Sequence, residues 1–361
     1  MQKKSIASIE LAALVHELQF IVNGRISQIY HQSNKELLLQ LHASGKGKQL
    51  LKIIPGKLIS LTTKKETQLR PTGFCMQLRK YINNAFVRKI EQKDSERIVV
   101  FELEKEKKYY LIIELFSKGN IILTDDKYII ITSIDRQIWK DRVVKPHEKY
   151  IFPAKGVNWK TITEKELSGI ITKSDKKNIA TTLATELGFG GLYAEEVCTL
   201  SNVDKNILPN EIGKEHIKQI YMSINKILKK IEKPQGHIYD EQITPFLLEG
   251  KEPKKVMKTY NEAIDTLNPF LTISPYEQKI GAVTRMVRNQ EEAIVNLTEK
   301  IALNKQKGEL IYEKYTPLQK LLDIVKELRK VKDWKDVEKE LKKEKKIAKV
   351  DLKNKKVLIE L

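Results

Sequence analysis

Cysteine is scarce in this chain: Cys75 and Cys198 are the only two in 361 residues, and no CxxC spacing occurs. Two distant thiols exclude a disulfide framework and a structural zinc site, and they read as small buried hydrophobes in a reducing cytoplasm. Histidine is thin as well, with six scattered residues and no HExxH, so a zinc-hydrolase centre is excluded. The glycines form neither a P-loop nor a dinucleotide fingerprint, which removes nucleotide sites of those kinds. No apolar run reaches the length of a membrane span. The opening Met1-Gln2-Lys3-Lys4-Ser5 leads into an amphipathic helix, unlike a signal peptide. With no hydrolase or transferase constellation in view, the chain reads as a binding protein without a cofactor, not an enzyme. Arginine is the last scarcity, with ten residues against 56 lysines.

Positive charge is abundant. The net charge is +19 and the isoelectric point about 9.5, a balance that favours a polyanionic partner, nucleic acid before membrane. Lysine and glutamate enrichment also suits solvated helix faces, so charge alone does not decide. The arginines say more. Arg70, Arg79, Arg88 and Arg97 fall in one short segment. Arginine offers a planar fork for phosphate and carboxylate, whereas lysine is a hydrated point charge. Concentrated arginines imply recognition or fixed ion pairs.

Hydrophobic content of 41% is enough for real cores, and the length suits two or three domains. A helix is expected over 8–23, then short apolar runs near 26–30, 37–41, 50–54 and 58–61, separated by turn residues as in a meander. A second helix is expected over 73–84, capped by Thr72. Strands resume at 87–91, 97–103, 109–116, 120–124 and 128–134. This half is α+β with an antiparallel sheet. After Pro153 helices take over, at 161–171, 175–187, 191–200 and 210–232. Two short strands fall within 236–248, and a helix lies near 252–266. The domain division is 1–172, 173–272 and 273–361.

Ser274-Pro275 opens a long helical pattern. Ile280, Val283, Val287, Gln290, Ile294, Leu297, Ile301, Asn304, Gly308, Ile311 and Tyr315 follow heptad spacing, which reads as a coiled coil. Helices at 317–331 and 333–346 and a closing hairpin follow. A lone helix of that length leaves its stripe wet. Either a second copy pairs with it as a homodimer, or the partner is a segment downstream of residue 361; the second reading is preferred.

The strongest local motif is Glu186-Leu187-Gly188-Phe189-Gly190-Gly191-Leu192-Tyr193. Helix, glycine turn, helix aims backbone N–H groups and a helix amino terminus at one spot, a geometry that binds phosphate. A tight inter-helix turn needing positive φ explains the same glycines. Glu96-Arg97 opens a strand after Lys93-Asp94-Ser95, and adjacent strand residues face opposite ways, so they do not simply pair. Ordinary surface charge remains the simpler account of both. Glu10 sits in a first helical turn, where the helix dipole favours an acid.

These pieces together resemble the NFACT family of ribosome-associated quality-control factors, also named after fibronectin-binding protein A. Ser8-Ile9-Glu10-Leu11 with His16-Glu17-Leu18 is similar to the family's first helix. Thr72 to Tyr81, which contains Arg79 and Lys80, is similar to its GF…LRK helix. Glu114 to Leu123 resembles its E-x-x-x-x-G-N hairpin, and Gly188 to Cys198 its helix-two-turn-helix module. The resemblance implies an amino-terminal domain built like formamidopyrimidine-DNA glycosylase, a helix-two-turn-helix domain and a coiled-coil arm. It also implies binding of large ribosomal subunits that hold peptidyl-tRNA. tRNA recruitment would then support template-free carboxyl-terminal tailing of the stalled chain. The family's acid–arginine pair falls on Glu96 and Arg97, and its amino-terminal acid on Glu10. Both acids are usually Asp, so here each carboxylate reaches one methylene further. Implied nucleic-acid contacts are Glu10, Arg70, Arg79, Lys80, Glu96, Arg97, Gly188, Gly190, Gly191 and Tyr193.

Two other classes compete. A glycosylase-like build suggests DNA repair, but that chemistry uses an amino-terminal proline followed by Glu, and this chain has Gln2-Lys3. The glycosylase zinc finger also needs more than two cysteines. The family's older name suggests a surface adhesin, which lacks a visible signal or anchor here.

Overall fold

A computed structural model describes residues 5–31, 36–65, 71–139, 142–154, 156–240, 242–267, 275–331, 347–351 and 356–359. They divide into a compact unit over 1–271 and a second over 272–361.

The first unit is organised around α1 (Ser8–Glu17), whose residues 8–15 are all buried. The expected helix over 8–23 is shorter. It tightens into a 3₁₀ turn at Leu18–Ile21, and the chain then turns at Asn23 with φ of 65°. Four strands follow, β1 (Arg25–His31), β2 (Leu37–Ala43), β3 (Gly47–Ile54) and β4 (Leu58–Leu61). Helix α2 (Gly73–Ile82) starts at Thr72, whose hydroxyl accepts the Cys75 N–H at 3.3 Å as a helix cap. Strands β5 (Phe86–Gln92), β6 (Ile98–Glu104), β7 (Lys108–Glu114), β8 (Asn120–Asp125) and β9 (Ile130–Ser133) complete a nine-stranded antiparallel sheet. Its order is β4-β3-β2-β1-β5-β6-β7-β8-β9.

The sheet has two leaves, because β1 and β5 share a single pair, Arg25↔Phe86. Side chains alternate along β6. Val99, Phe101 and Leu103 join the main core, while Ile98 and Val100 join a smaller cluster with Ile112, Ile122 and Tyr150. The leaves meet at their turns, where the Gly56 N–H donates to the Glu114 carbonyl at 3.1 Å. A small ribbon of β10 (Gln137–Ile138) and β11 (Val143–Val144) follows the sheet, and no periodicity announces it.

The helical part holds α3 (Glu164–Lys173), α4 (Ile179–Thr185), α5 (Gly191–Leu200) and α6 (Lys214–Glu232). Helix α4 is shorter than expected because its Asn178 cap fixes the start and Gly188 the stop. The helix expected near 252–266 divides. Strand β14 (Lys255–Met257) pairs with β12 (Gly236–Ile238), which also pairs with β13 (Ile243–Thr244), and only then does α7 (Tyr260–Leu267) begin. Helices α1, α6 and α7 pack together, so sheet and helices share one core.

In the second unit, α8 (Pro275–Glu313) runs 39 residues and α9 (Tyr315–Val331) follows. Val283, Val287, Ile294, Leu297 and Ile301 of the heptad stripe are exposed. Strands β15 (Ile347–Asp351) and β16 (Lys356–Ile359) form the closing hairpin. The helix expected at 333–346 lies outside the described residues. Among the described residues no helix is long and apolar enough to cross a membrane.

Candidate nucleic-acid interface

A cleft of about 520 Å3 opens where four segments meet. They are the lead into α1 (Ser5–Ser8), the β5–β6 turn (Ser95–Arg97), Gly156-Val157, and the α4–α5 turn (Ala184–Gly190).

The β5–β6 turn is stapled in place by short polar side chains. Gln92 Nε2 donates to the Ser8 carbonyl at 3.0 Å and to the Glu96 carbonyl at 2.9 Å. The Ser8 hydroxyl donates to the Ser95 carbonyl, and Ser95 Oγ donates to the Val157 carbonyl at 2.8 Å. Glu96 and Arg97 do not open the strand as expected: both lie in the turn, β6 begins at Ile98, and their side chains go to different partners. Glu96 Oε1 accepts the Gly156 N–H at 2.9 Å, and Arg97 Nη1 donates to Ser5 Oγ at 3.0 Å. Among the described residues no carboxylate lies within 4.0 Å of the Arg97 guanidinium. Burial lowers its pKa and the nearby Glu96 works the other way. A half-buried guanidinium with no carboxylate partner among the described residues is suited to an anionic ligand.

The glycine turn is exposed at Gly188, Gly190 and Gly191 and pinned between them by Phe189, which is buried and stacks on Trp159 at 5.6 Å. Gly188 and Gly190 have φ of 74° and 75°, a conformation that favours glycine. The Gly190 N–H donates to the Ala184 carbonyl at 3.1 Å and closes α4. Helix α5 starts with no side-chain cap on its first amides. Its amino terminus therefore keeps donors and the positive end of its dipole for a ligand.

Glu10 departs from its expected role. Its relative exposure is 0%, and its carboxylate accepts the Ala7 N–H at 2.8 Å and the Tyr193 hydroxyl at 2.7 Å. The first bond is half of a capping box, which the longer reach of Glu suits. Tyr193 is buried too. Desolvation first, then Glu10, raises the pKa of both Tyr193 and Tyr260 far above the ordinary phenol value. Neither Glu10 nor Tyr193 offers a surface to RNA. Direct contact is replaced by positioning: their bond ties the first turn of α1 to the first turn of α5, and both helix ends border the cleft.

Arg79 and Lys80 do not line this cleft. Arg79 Nε donates to the Ile29 carbonyl at 2.8 Å and braces α2 on β1, while Lys80 is exposed beside Tyr81. Arg70 lies outside the described residues. The sequence reading missed Ser5, Ser8, Gln92, Ser95 and Gly156, whose only local signal is a density of small polar residues beside the motif. Both cysteines are buried, and burial pushes the Cys198 thiol up to about 11.

The remaining family motif is structural. Arg142 holds buried Glu114 through two bonds of 2.7 and 3.1 Å, and the Tyr150 hydroxyl donates to the same carboxylate at 2.8 Å. Asn120 Nδ2 donates to the Asp135 carbonyl at 2.9 Å and to Gln137 at 3.0 Å.

The sequence profile of the NFACT N-terminal and middle domains matches residues 8–356. The archaeal Rqc2 homolog aRqcH of Methanocaldococcus jannaschii is 31% identical over 93% of this chain and 54% of its own length. Ribosome quality control complex subunit NEMF of Homo sapiens is 25% identical over 74% of this chain and 26% of its own length. The chain thus spans about half the length of the archaeal relative. The N-terminal part of the fibronectin/fibrinogen-binding protein of Streptococcus suis shares the fold. Its TM-score is 0.60 at 20% identity, over 73% of this chain and 99% of that one. With a family match running from the first helix to the final hairpin, the chain belongs to the NFACT family.

Proposed function

We propose that this chain acts in ribosome-associated quality control, binding large ribosomal subunits obstructed by peptidyl-tRNA and recruiting tRNA for template-free carboxyl-terminal tailing of the stalled chain. Support comes from relatives named as an Rqc2 homolog and as a ribosome quality control complex subunit. The observation that carries the reading is the meeting of Arg97 with the amino-terminal ends of α1 and α5 at one cleft. Backbone amides and a half-buried guanidinium favour a phosphate there without reading base sequence. Folded RNA would be recognised by shape and phosphate position, with Arg97 forking or stacking on the RNA. Glu10 and Tyr193 hold the two helix ends at a fixed separation. Peptide transfer stays with the ribosome, and the protein contributes no chemistry of its own.

Filter binding of tRNA to an Arg97→Ala variant tests this. A lost charged hydrogen bond weakens retention by about tenfold or more, and the salt slope falls by about one. Because Arg97 makes a single side-chain bond among the described residues, to Ser5, the variant keeps a wild-type urea midpoint. Unchanged tRNA retention by the folded variant rejects the assignment.

A further inference from the structure

The β10–β11 ribbon carries two large apolar side chains with no evident structural use. Ile138 is 77% exposed and Trp139 is 42% exposed. Trp139 is nonetheless held firmly. Its backbone N–H donates to the Arg142 carbonyl at 2.9 Å, and the Arg142 guanidinium lies 4.3 Å from the centre of its ring. Arg142 is fixed in turn by its two bonds to Glu114, so the ring rests on an immobilised cation. Beside it is a cavity of about 240 Å3 whose lining includes Glu114, Phe116, Lys118, Gln137, Ile138 and Trp139.

We propose that Trp139, backed by Arg142, is a stacking platform for one unpaired nucleobase of single-stranded RNA, with Lys118 taking the adjoining phosphate. Charge selects this occupant. The Glu114 carboxylate is neutralised by Arg142, which leaves Lys118 as the uncompensated charge of the lining. Arg136 is exposed on the same ribbon segment. A cation beneath the ring repels a lysine or arginine guest, whereas an uncharged heterocycle on an anionic backbone suits both the ring and its rim. The platform is separate from the Arg97 cleft, since the two share no lining residue. The inference rests on the RNA-binding reading above for its ligand class alone.

Fluorescence anisotropy of a labelled octauridylate tests it, on the full chain at moderate salt, with tRNA binding measured in parallel. Trp139→Ala is expected to weaken octamer binding about tenfold, and Trp139→Phe to retain most of it, because a smaller ring still stacks. Equal affinity for wild type and Trp139→Ala overturns the platform. So does a wild-type chain that binds tRNA but ignores the octamer. Trp139-dependent octamer binding without any tRNA binding supports the platform and sinks the tRNA reading instead. Displacement of the octamer by N-acetyl-Phe-Leu-amide at micromolar concentration assigns the cavity to protein side chains and overturns the proposal.

Discussion

Gly119 shows how one residue can be fixed by its neighbours. A Cβ there would lie 1.8 Å from the Gly56 nitrogen, against backbone that cannot swing aside, and its φ of 69° is unfavourable for any side chain. Gly191 looks similar in the sequence, yet a Cβ there meets nothing within 4 Å. Gly119→Ala should therefore cost on the order of 3 kcal/mol in urea unfolding, while Gly191→Ala should be neutral or stabilise by up to about 1 kcal/mol through helix propensity. Similar losses for the two variants would contradict this account. The same contrast marks what the sequence discloses about the site. The acid at Glu10, the Glu96-Arg97 pair and the glycine turn are all visible as local patterns. The pairing of Glu10 with Tyr193 spans 183 positions, and no spacing rule reports it. Nor does local pattern separate Arg97, which reaches the cleft, from Arg79, which braces a helix.

Elements were legible in proportion to their length. The eight-residue or shorter strands of the main sheet stand out as apolar runs bounded by turn residues, and α5 matches its expected span residue for residue. The β10–β11 ribbon pairs only two residues on each side, too few to show a period. Helix α7 starts later than the local pattern suggests because β14 takes Lys255–Met257 into a strand and the first amides of the helix are held partly from outside. The Glu17 carboxylate, on α1, accepts the Tyr260 and Asn261 N–H groups at 2.7 and 2.9 Å, and the local cap Thr259 accepts the Glu262 N–H on its hydroxyl at 3.0 Å. Burial raises the Glu17 pKa from its ordinary 4.5 to about 7, and the two amide bonds offset this only in part. The folded state thus holds this proton more tightly than the unfolded state. Its stabilising contribution is complete below about pH 4.5 and is lost as pH rises through 7. Relative to Glu17→Gln, which does not titrate, wild type should melt progressively higher as pH falls from 8 to 5. A difference in melting temperature that stays flat across that range would refute the linkage.

Across the whole molecule, net charge and exposed apolar surface are divided between two tasks. The +19 charge gives any RNA-binding surface long-range attraction, strongest at low salt, but it does not choose a site. Arg97 and the glycine turn belong to the 1–271 unit, and the uncovered heptad stripe belongs to the other. Helix α8 is 39 residues long, so it extends about 58 Å, comparable to the span of a small domain twice over. An apolar stripe on a helix of that length is costly to leave in water and is satisfied by a partner helix, whether from a second copy or from elsewhere in the same assembly. Such an arm suits a spacer that reaches across a ribosomal surface. Removing residues 277–331 should then abolish co-sedimentation with large subunits while tRNA retention, proposed to depend on Arg97, persists. Equal co-sedimentation after the deletion would mean that the arm is not the anchor. Loss of both activities together would place the subunit-binding surface and the tRNA cleft in one cooperative unit, contrary to the division seen in the structure.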